Sequence, residues 1–387
     1  MARSRVFKLF FLAFFLVAVF PHPAVHPAQA ALSSDEPKPA PEPVNPRPID
    51  ALWRDPGEIS SLDLTFGSGG KEHAPRADAT YSFVKEDLGG TSTKFYVKDQ
   101  DGVEWLVKVG DEARGETAAT RLVWAMGYFT DEDYFVPELH VSGMSKLHRH
   151  SKSVHQDGTI TKARLKRSPK EQKKLATWAW GENPFRGSRE LNGLRVMMAL
   201  INNWDLKTVN NKIYGSKQDH PKQDEGTPAA QDQKRKLGDG NEAAEYDDGG
   251  AVDGNAVNAN VHYVVSDLGA SFGRTGAFFS RSKGRVKDYT KDKFIRATTP
   301  ETVDFVMRVR PGRMIRFLKP GYSRQRVAMA ATVENIPRAD VKWIGAKLAG
   351  LTPDQIRSAF ASSGFTPKEV DGYLAELNKR IAELNAL

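Results

Sequence analysis

The chain has 387 residues, 40% of them hydrophobic, which is enough for one large domain or two lobes around a real core. It is basic, with a formal net charge of +8, and it has no cysteine, which excludes a disulfide framework, a thiolate zinc site, a cysteine nucleophile and an acylated cysteine anchor. H-E-x-x-H does not occur, so one common metallohydrolase signature is missing as well.

At the N-terminus Arg3, Arg5 and Lys8 flank an apolar run from Leu9 to Phe20, and Ala28-Gln29-Ala30 supplies a small-residue cleavage site. Residues 1–30 therefore read as a secretory signal peptide, cleaved near Ala30 to leave an exported protein, periplasmic or secreted. The alternative, a retained anchor, is opposed by length: the run falls short of the ~18–20 residues that cross a bilayer, and Pro21 and Pro23 end it. From 31 to 50 prolines recur among Glu, Ala, Lys and Ser, the composition of an extended linker. In the segment that follows, Leu62-Asp63-Leu64-Thr65-Phe66 alternates as a strand would.

Alternation predicts three strands, Tyr81 to Val84, Lys94 to Lys98 and Glu104 to Val109. Between the first two lies a turn, Gly89-Gly90-Thr91-Ser92, whose backbone N–H groups and hydroxyls suit either a plain hairpin or a cover for phosphate groups. Lys108 interrupts the apolar third strand. Asp111 then caps a helix running to Gly127, with Ala119, Leu122, Val123 and Met126 on its buried stripe and Glu116 on that same face. A carboxylate there is costly unless paired, and Lys108 is its natural partner; the alternative is a solvated charge in the helix's first turn.

Leu139 to Arg167 reads as a basic hairpin turning at Asp157-Gly158, and its His148, His150 and His155, lacking carboxylate partners, read as loop residues rather than metal ligands. Ser188 caps a helix through Asn203 whose Val196 to Ile201 is apolar on every side, the pattern of a core helix. It leads into Asp205-Leu206-Lys207-Thr208-Val209-Asn210 and a short strand at Ile213-Tyr214. Residues 215–260 are polar and rich in Gly and Asp, which predicts a disordered insertion in preference to a calcium site at Asp247, Asp248 and Asp253. An apolar run, Tyr263 to Ser266, then delivers Asp267-Leu268-Gly269.

Residues 271–330 hold fifteen Lys or Arg against four acidic residues. This suits an anionic substrate or a membrane surface, or else a charged helical exterior; no specific nucleic acid is predicted. Ala339 to Ala349, Thr352 to Ser362 and Thr366 to Leu384 read as three helices, with Pro353 and Pro367 near two N-termini.

The order glycine turn, strand lysine, helix glutamate, buried helix, D-L-K-T-V-N and strand with D-L-G resembles the protein-kinase-like superfamily. Asn203-Trp204 stands where many kinases have His-Arg, and the glutamate follows the lysine closely, so the likeness is to atypical members: HipA-like, phosphatidylinositol and secretory-pathway kinases. The resemblance implies an α+β, two-lobed fold, with a small antiparallel sheet lobe carrying one helix at 51–138 and a larger, mainly helical lobe at 139–387. It implies ATP with Mg2+ or Mn2+ and transfer of the γ-phosphoryl group to a hydroxyl acceptor. Gly89, Gly90, Thr91 and Ser92 would cover the nucleotide, Lys108 would hold its phosphates and Glu116 would orient Lys108. Asp205 would be the base, Lys207 would neutralise the transferring group, and Asn210 and Asp267 would bind the metal. The alternative is a pseudokinase that binds a nucleotide or a partner without catalysis.

Overall fold

In the computed structural model, five strands close into a barrel in the order β1-β2-β3-β5-β4. They are β1 (Tyr81–Glu86), β2 (Lys94–Asp99), β3 (Glu104–Val109), β4 (Asp133–Ser142) and β5 (Thr159–Arg167). Neighbours pair antiparallel, except that β1 meets β4 in parallel at Tyr81↔Val141 and Ser82↔Ser142, which closes the ring. The structure describes residues 48–168, 172–216, 261–275, 281–309, 318 and 320–387. The expected signal peptide and nearly all of the expected linker and insertion lie outside them.

Period-2 alternation explains the barrel: Phe95, Val97, Trp105, Val107, Val109, Val141, Ile160 and Leu165 pack into one core, with Tyr81 and Tyr134. The opposite face of β3 and β5 is covered by α1 (Asp111–Ala125), so β3 is buried on both sides and reads as an almost continuous apolar run. Its exception, Lys108, stands in register with Arg164 of β5. The cap of α1 is Gly110 at φ +92°, and Asp111 is the first helical residue with no capping hydrogen bond, contrary to the cap expected there. The helix ends before Gly127, where φ is again +92°.

The second core is built around α2 (Arg189–Leu200). Ser188 caps it by accepting a hydrogen bond from the Leu191 N–H at 3.1 Å, and Val196 to Ile201 are all buried. The same core takes in Ile213, Tyr263 and Val265 of an antiparallel sheet made of β6 (Gln172–Thr177), β7 (Asn211–Ser216) and β8 (His262–Val265), ordered β6-β7-β8. Next come β9 (Arg274–Thr275) paired with β10 (Arg281–Ser282), and α3 (Val286–Tyr289). A three-stranded sheet follows, made of β11 (Ile295–Thr298), β12 (Thr302–Phe305) and β13 (Ile336–Pro337), with α4 (Pro320–Ala331) between the last two. Three helices close the chain: α5 (Arg338–Leu348), α6 (Pro353–Ala361) and α7 (Pro367–Asn385). Thr352 with Gln355 and Thr366 with Glu369 form complete capping boxes, which is why the last two begin where they do. Among the described residues no helix is long and apolar enough to cross a membrane.

Three further expectations are corrected. Leu62 to Phe66 is a turn: the Asp63 carboxylate accepts from the Thr65 N–H at 2.8 Å, and the Asp63 carbonyl from the Gly67 N–H, so a local Asp turn produced the alternation. The hairpin expected from Leu139 starts earlier, at Asp133, so the barrel runs to Arg167 and residue 138 falls inside β4. His148 does have a carboxylate partner. Its Nδ1 lies 2.9 Å from Glu86, whose carboxylate also accepts the backbone N–H groups of His148 and Arg149, an arrangement that pins a loop.

Candidate active site

Three elements bring the charged site together. β3 carries Lys108, α1 carries Glu112 and Glu116 one turn apart on the same face, and the end of β8 delivers Asp267. Lys108, with 3% of its side chain exposed, places Nζ 2.7 Å from Asp267 Oδ1, 2.8 Å from Glu116 Oε2 and 3.1 Å from Glu112 Oε1. Glu116 also accepts from Arg164 Nη2 at 3.2 Å, and Arg164 Nη1 reaches Asp133 at 3.2 Å. At the outer end Glu112 takes Lys283 Nζ at 2.6 Å and the Ser92 hydroxyl at 3.0 Å. The result is one continuous network from the barrel wall to the glycine turn.

The electrostatics follow from burial set against pairing. Burial works to lower the Lys108 ammonium, but Glu116, Asp267 and Glu112 outweigh it and hold the group above the ordinary lysine range. Burial works to raise the Asp267 carboxyl, and Lys108 reverses this, leaving it well below the usual carboxylate range. Glu112 is likewise lowered, burial being overcome by Lys108 and Lys283. Asp267 is the open member, with 45% of its side chain exposed.

Backbone geometry holds Asp267 in place. It sits in the left-handed region at φ +51°, and five residues on Phe272 does the same at +54°, a costly conformation for a bulky side chain. Phe272 is fixed there by its N–H bond to the Ile201 carbonyl at 2.8 Å and by edge contacts with Tyr289, Phe360 and Tyr373. Between them Gly269 lies so close to Glu112 that a Cβ would collide with its side chain.

A second group forms at the end of α2. Asn202, left-handed at φ +50°, turns the chain and donates to the Gly273 carbonyl at 2.6 Å. The Asp205 N–H bonds Asn203 Oδ1 at 3.1 Å, Lys207 Nζ lies 3.1 Å from Asp205 Oδ1, and Asn210 Nδ2 donates to the Asp205 carbonyl at 2.7 Å. Two links join this group to the first: the Ser266 N–H donates to the Asn210 carbonyl at 3.0 Å, and Lys283 lies over the Trp204 ring at 5.7 Å. The glycine turn is tied as well, since Arg149 donates to the carbonyls of Asp87, Leu88, Gly89 and Ser92. Gly90 sits at its tip with φ +64°, and Thr91 is exposed beside it.

Thus Lys108, Glu116 and Asp267 meet directly, Asp205, Lys207 and Asn210 form an adjoining cluster, and Ser92 touches the first group. Glu112, Arg164, Asp133 and Lys283 are additional members. Glu112 had a signal, since it lies four residues after Lys108 and four before Glu116; Arg164 had a weaker one, a cation inside the apolar Ala163 to Leu165 stretch. Beside them Asp131 pairs with Lys166 at 3.2 Å, and Lys212 lies in the same partly buried cluster. Among the described residues, ligand oxygens of Glu112, Glu116 and Asp267 lie within 4.8 Å of one another, a donor set that fits a hard divalent cation. In the present arrangement the Lys108 ammonium contacts all three, and Arg164 and Lys283 supply the rest of the balancing charge.

In the basic stretch, Arg274 and Arg308 reach Asp292 at 3.4 and 2.8 Å, and Arg296 reaches Asp304 at 2.7 Å and Glu334 at 2.8 Å. Part of that charge is therefore matched within the fold. Compared with known protein families, characterised proteins and solved structures, the chain matches none.

Proposed function

We propose that the chain is an exported, two-lobed kinase-like phosphotransferase. The observation that carries the reading is the meeting of Lys108 with Glu116 and Asp267 at 2.8 and 2.7 Å, residues from a strand, a helix and a distant strand end. In a phosphotransfer site a lysine held by a glutamate binds nucleotide phosphates, and a nearby aspartate with an asparagine holds the metal. Asp267 and Asn210 are the residues that would hold magnesium or manganese, which supplies neutralisation of phosphate charge when bound.

The remaining roles follow from position. Lys108 binds the phosphates once they draw it from its carboxylates. Glu116, fixed by Arg164, keeps Lys108 from swinging away. Asp205 takes the proton of the acceptor hydroxyl as its oxygen attacks the γ-phosphorus; the bond from that phosphorus to the bridging oxygen breaks, and ADP leaves. Lys207, anchored on Asp205, offsets charge on the group in transit. The basic 271–330 segment faces an anionic substrate or surface in this reading, and export rests on the N-terminal apolar run.

The test is thermal stability of the purified protein with ATP and magnesium or manganese, since a ligand that binds only the folded state must raise it. No rise with either metal would end the nucleotide-dependent reading. A second reading, binding without transfer, is favoured by the internal pairing of the Lys108 network, which suits a structural role as well. It predicts a rise in stability with no label moving from ATP to protein, lipid or sugar acceptors.

A further inference from the structure

A cavity of about 480 Å³ lies against the Leu206-Lys207-Thr208 segment, between α2, the loop from Ala179 to Gly187 and α4. Its lining carries three cations, Arg186, Arg195 and Lys207, and no carboxylate. Arg195 is fixed by the carbonyls of Thr332 and Glu334 at 2.6 and 2.7 Å and by Asn192 Oδ1 at 2.6 Å. Arg186 is exposed and makes no ion pair with a described residue. Lys207 connects the cavity to Asp205, which its Nζ approaches to 3.1 Å.

The rest of the wall is of two kinds. Leu206 and Met329 are buried and apolar, and Trp180 stands beside them, its ring 5.0 Å from that of Trp178. The Trp180 indole N–H is buried and has no partner among the described residues. Hydroxyls and amides from Thr208, Asn192, Gln325 and Thr332 complete the lining.

We propose that this cavity is the acceptor site and that it takes a small sugar bearing a phosphate or carboxylate. The inference rests on the phosphotransferase reading for its reaction, though not for its binding. Lys207 is matched by Asp205, and Asn192 and Thr332 are engaged within the fold, so the anion is drawn by the exposed Arg186 with Arg195 behind it. A tryptophan beside apolar side chains offers a face for a sugar ring, and Thr208 and Gln325 bring a hydroxyl and an amide to its polar edge. The volume lies within the range of small-ligand sites, roughly 300–1,000 Å³. The hydroxyl that attacks would come from this sugar, and its proton would go to Asp205.

The test is a titration of tryptophan fluorescence in the purified protein with glucose 6-phosphate, glucuronate, glucose and inorganic phosphate, repeated in Trp180→Phe to assign the signal. The expected result is a saturating change with one of the anionic sugars at a concentration at least tenfold below that for glucose or phosphate. Arg186→Gln should raise that concentration at least tenfold with an unchanged melting temperature, and the better of the two sugars identifies phosphate or carboxylate as the anchor. Absence of saturation with both, an equal response in Arg186→Gln, or saturation with glucose or inorganic phosphate at the same concentration overturns the proposal. If ATP with manganese stabilises the protein while neither sugar binds, the acceptor inference falls and the phosphotransferase reading stands. If a sugar binds and nucleotide does not, the phosphotransferase reading falls, the acceptor role falls with it, and the cavity is a sugar site without a reaction.

Discussion

Lys108 on β3 and Arg164 on β5 stand directly opposite each other in the antiparallel ladder, and Glu116 reaches both, 2.8 Å from Lys108 Nζ and 3.2 Å from Arg164 Nη2. Like charges facing across strands repel, so the pair is tolerated because α1 lays a carboxylate over it. Glu116→Ala leaves two buried cations short of their shared partner and should cost about 3–5 kcal/mol. Urea unfolding at neutral pH measures it. Adding Lys108→Met should restore part of the loss, and a single-mutant loss under about 1 kcal/mol would mean that Asp133, Asp267 and Glu112 satisfy both cations without Glu116.

Asp205 and Asp267 should fail differently. Asp267→Ala removes the open carboxylate beside Lys108 and should abolish the metal-dependent gain in melting temperature given by ATP. Asp205→Ala should keep that gain and stop transfer of labelled phosphate. A variant pair that lost binding equally would contradict the separate roles given to the two clusters.

Gly269 is a packing requirement set by Glu112, whose side chain occupies the space a Cβ would need. Gly269→Ala should therefore destabilise by about 1–3 kcal/mol, the usual cost of overpacking. Shortening the obstacle in Gly269→Ala/Glu112→Ala should recover more than the sum of the two single changes allows, as a denaturation cycle would show.

Lys212 supplies a prediction in pH. Burial, with Lys166 as the like charge beside it, pushes its ammonium down to about 8, against the favourable pull of Asp131 and Asp267. A lysine lowered on folding costs stability fully below its folded value, and the cost disappears as pH rises toward the unfolded value near 10.5. Lys212→Met should thus be more stable than the parent at pH 7, by about 1–2 kcal/mol. The advantage should shrink between pH 8 and 10.5. A constant advantage across that range would point to packing rather than titration.

Lys108 and Glu116 are legible in the sequence because each breaks a pattern, a lysine in an apolar strand and a carboxylate on a buried helical face. The helix caps at Ser188, Thr352 and Thr366 are legible because capping is local chemistry. Asp133 is not, and Arg164 only weakly, since their partners come from other elements and neither spacing nor composition marks the pairing. The strands β11 to β13 are too short for alternation to stand out, and Leu62 to Phe66 alternates for a reason that belongs to a turn. Asn210 and Asp267 were placed by the order of motifs, and what joins them is a backbone bond through Ser266 that no side-chain pattern records.

The contact between Lys108 and Asp267 joins residues 159 positions apart. Closing so long a loop costs only slightly more than closing one half its length, about 0.6 kcal/mol per doubling, but contacts of large sequence separation slow folding. A chain emerging from synthesis can pair Lys108 on β3 with Glu116 on α1 long before residue 267 arrives. Until it does, the site lacks its exposed carboxylate. A ligand that must touch both halves therefore has nothing to bind on the nascent chain and locks only the finished one.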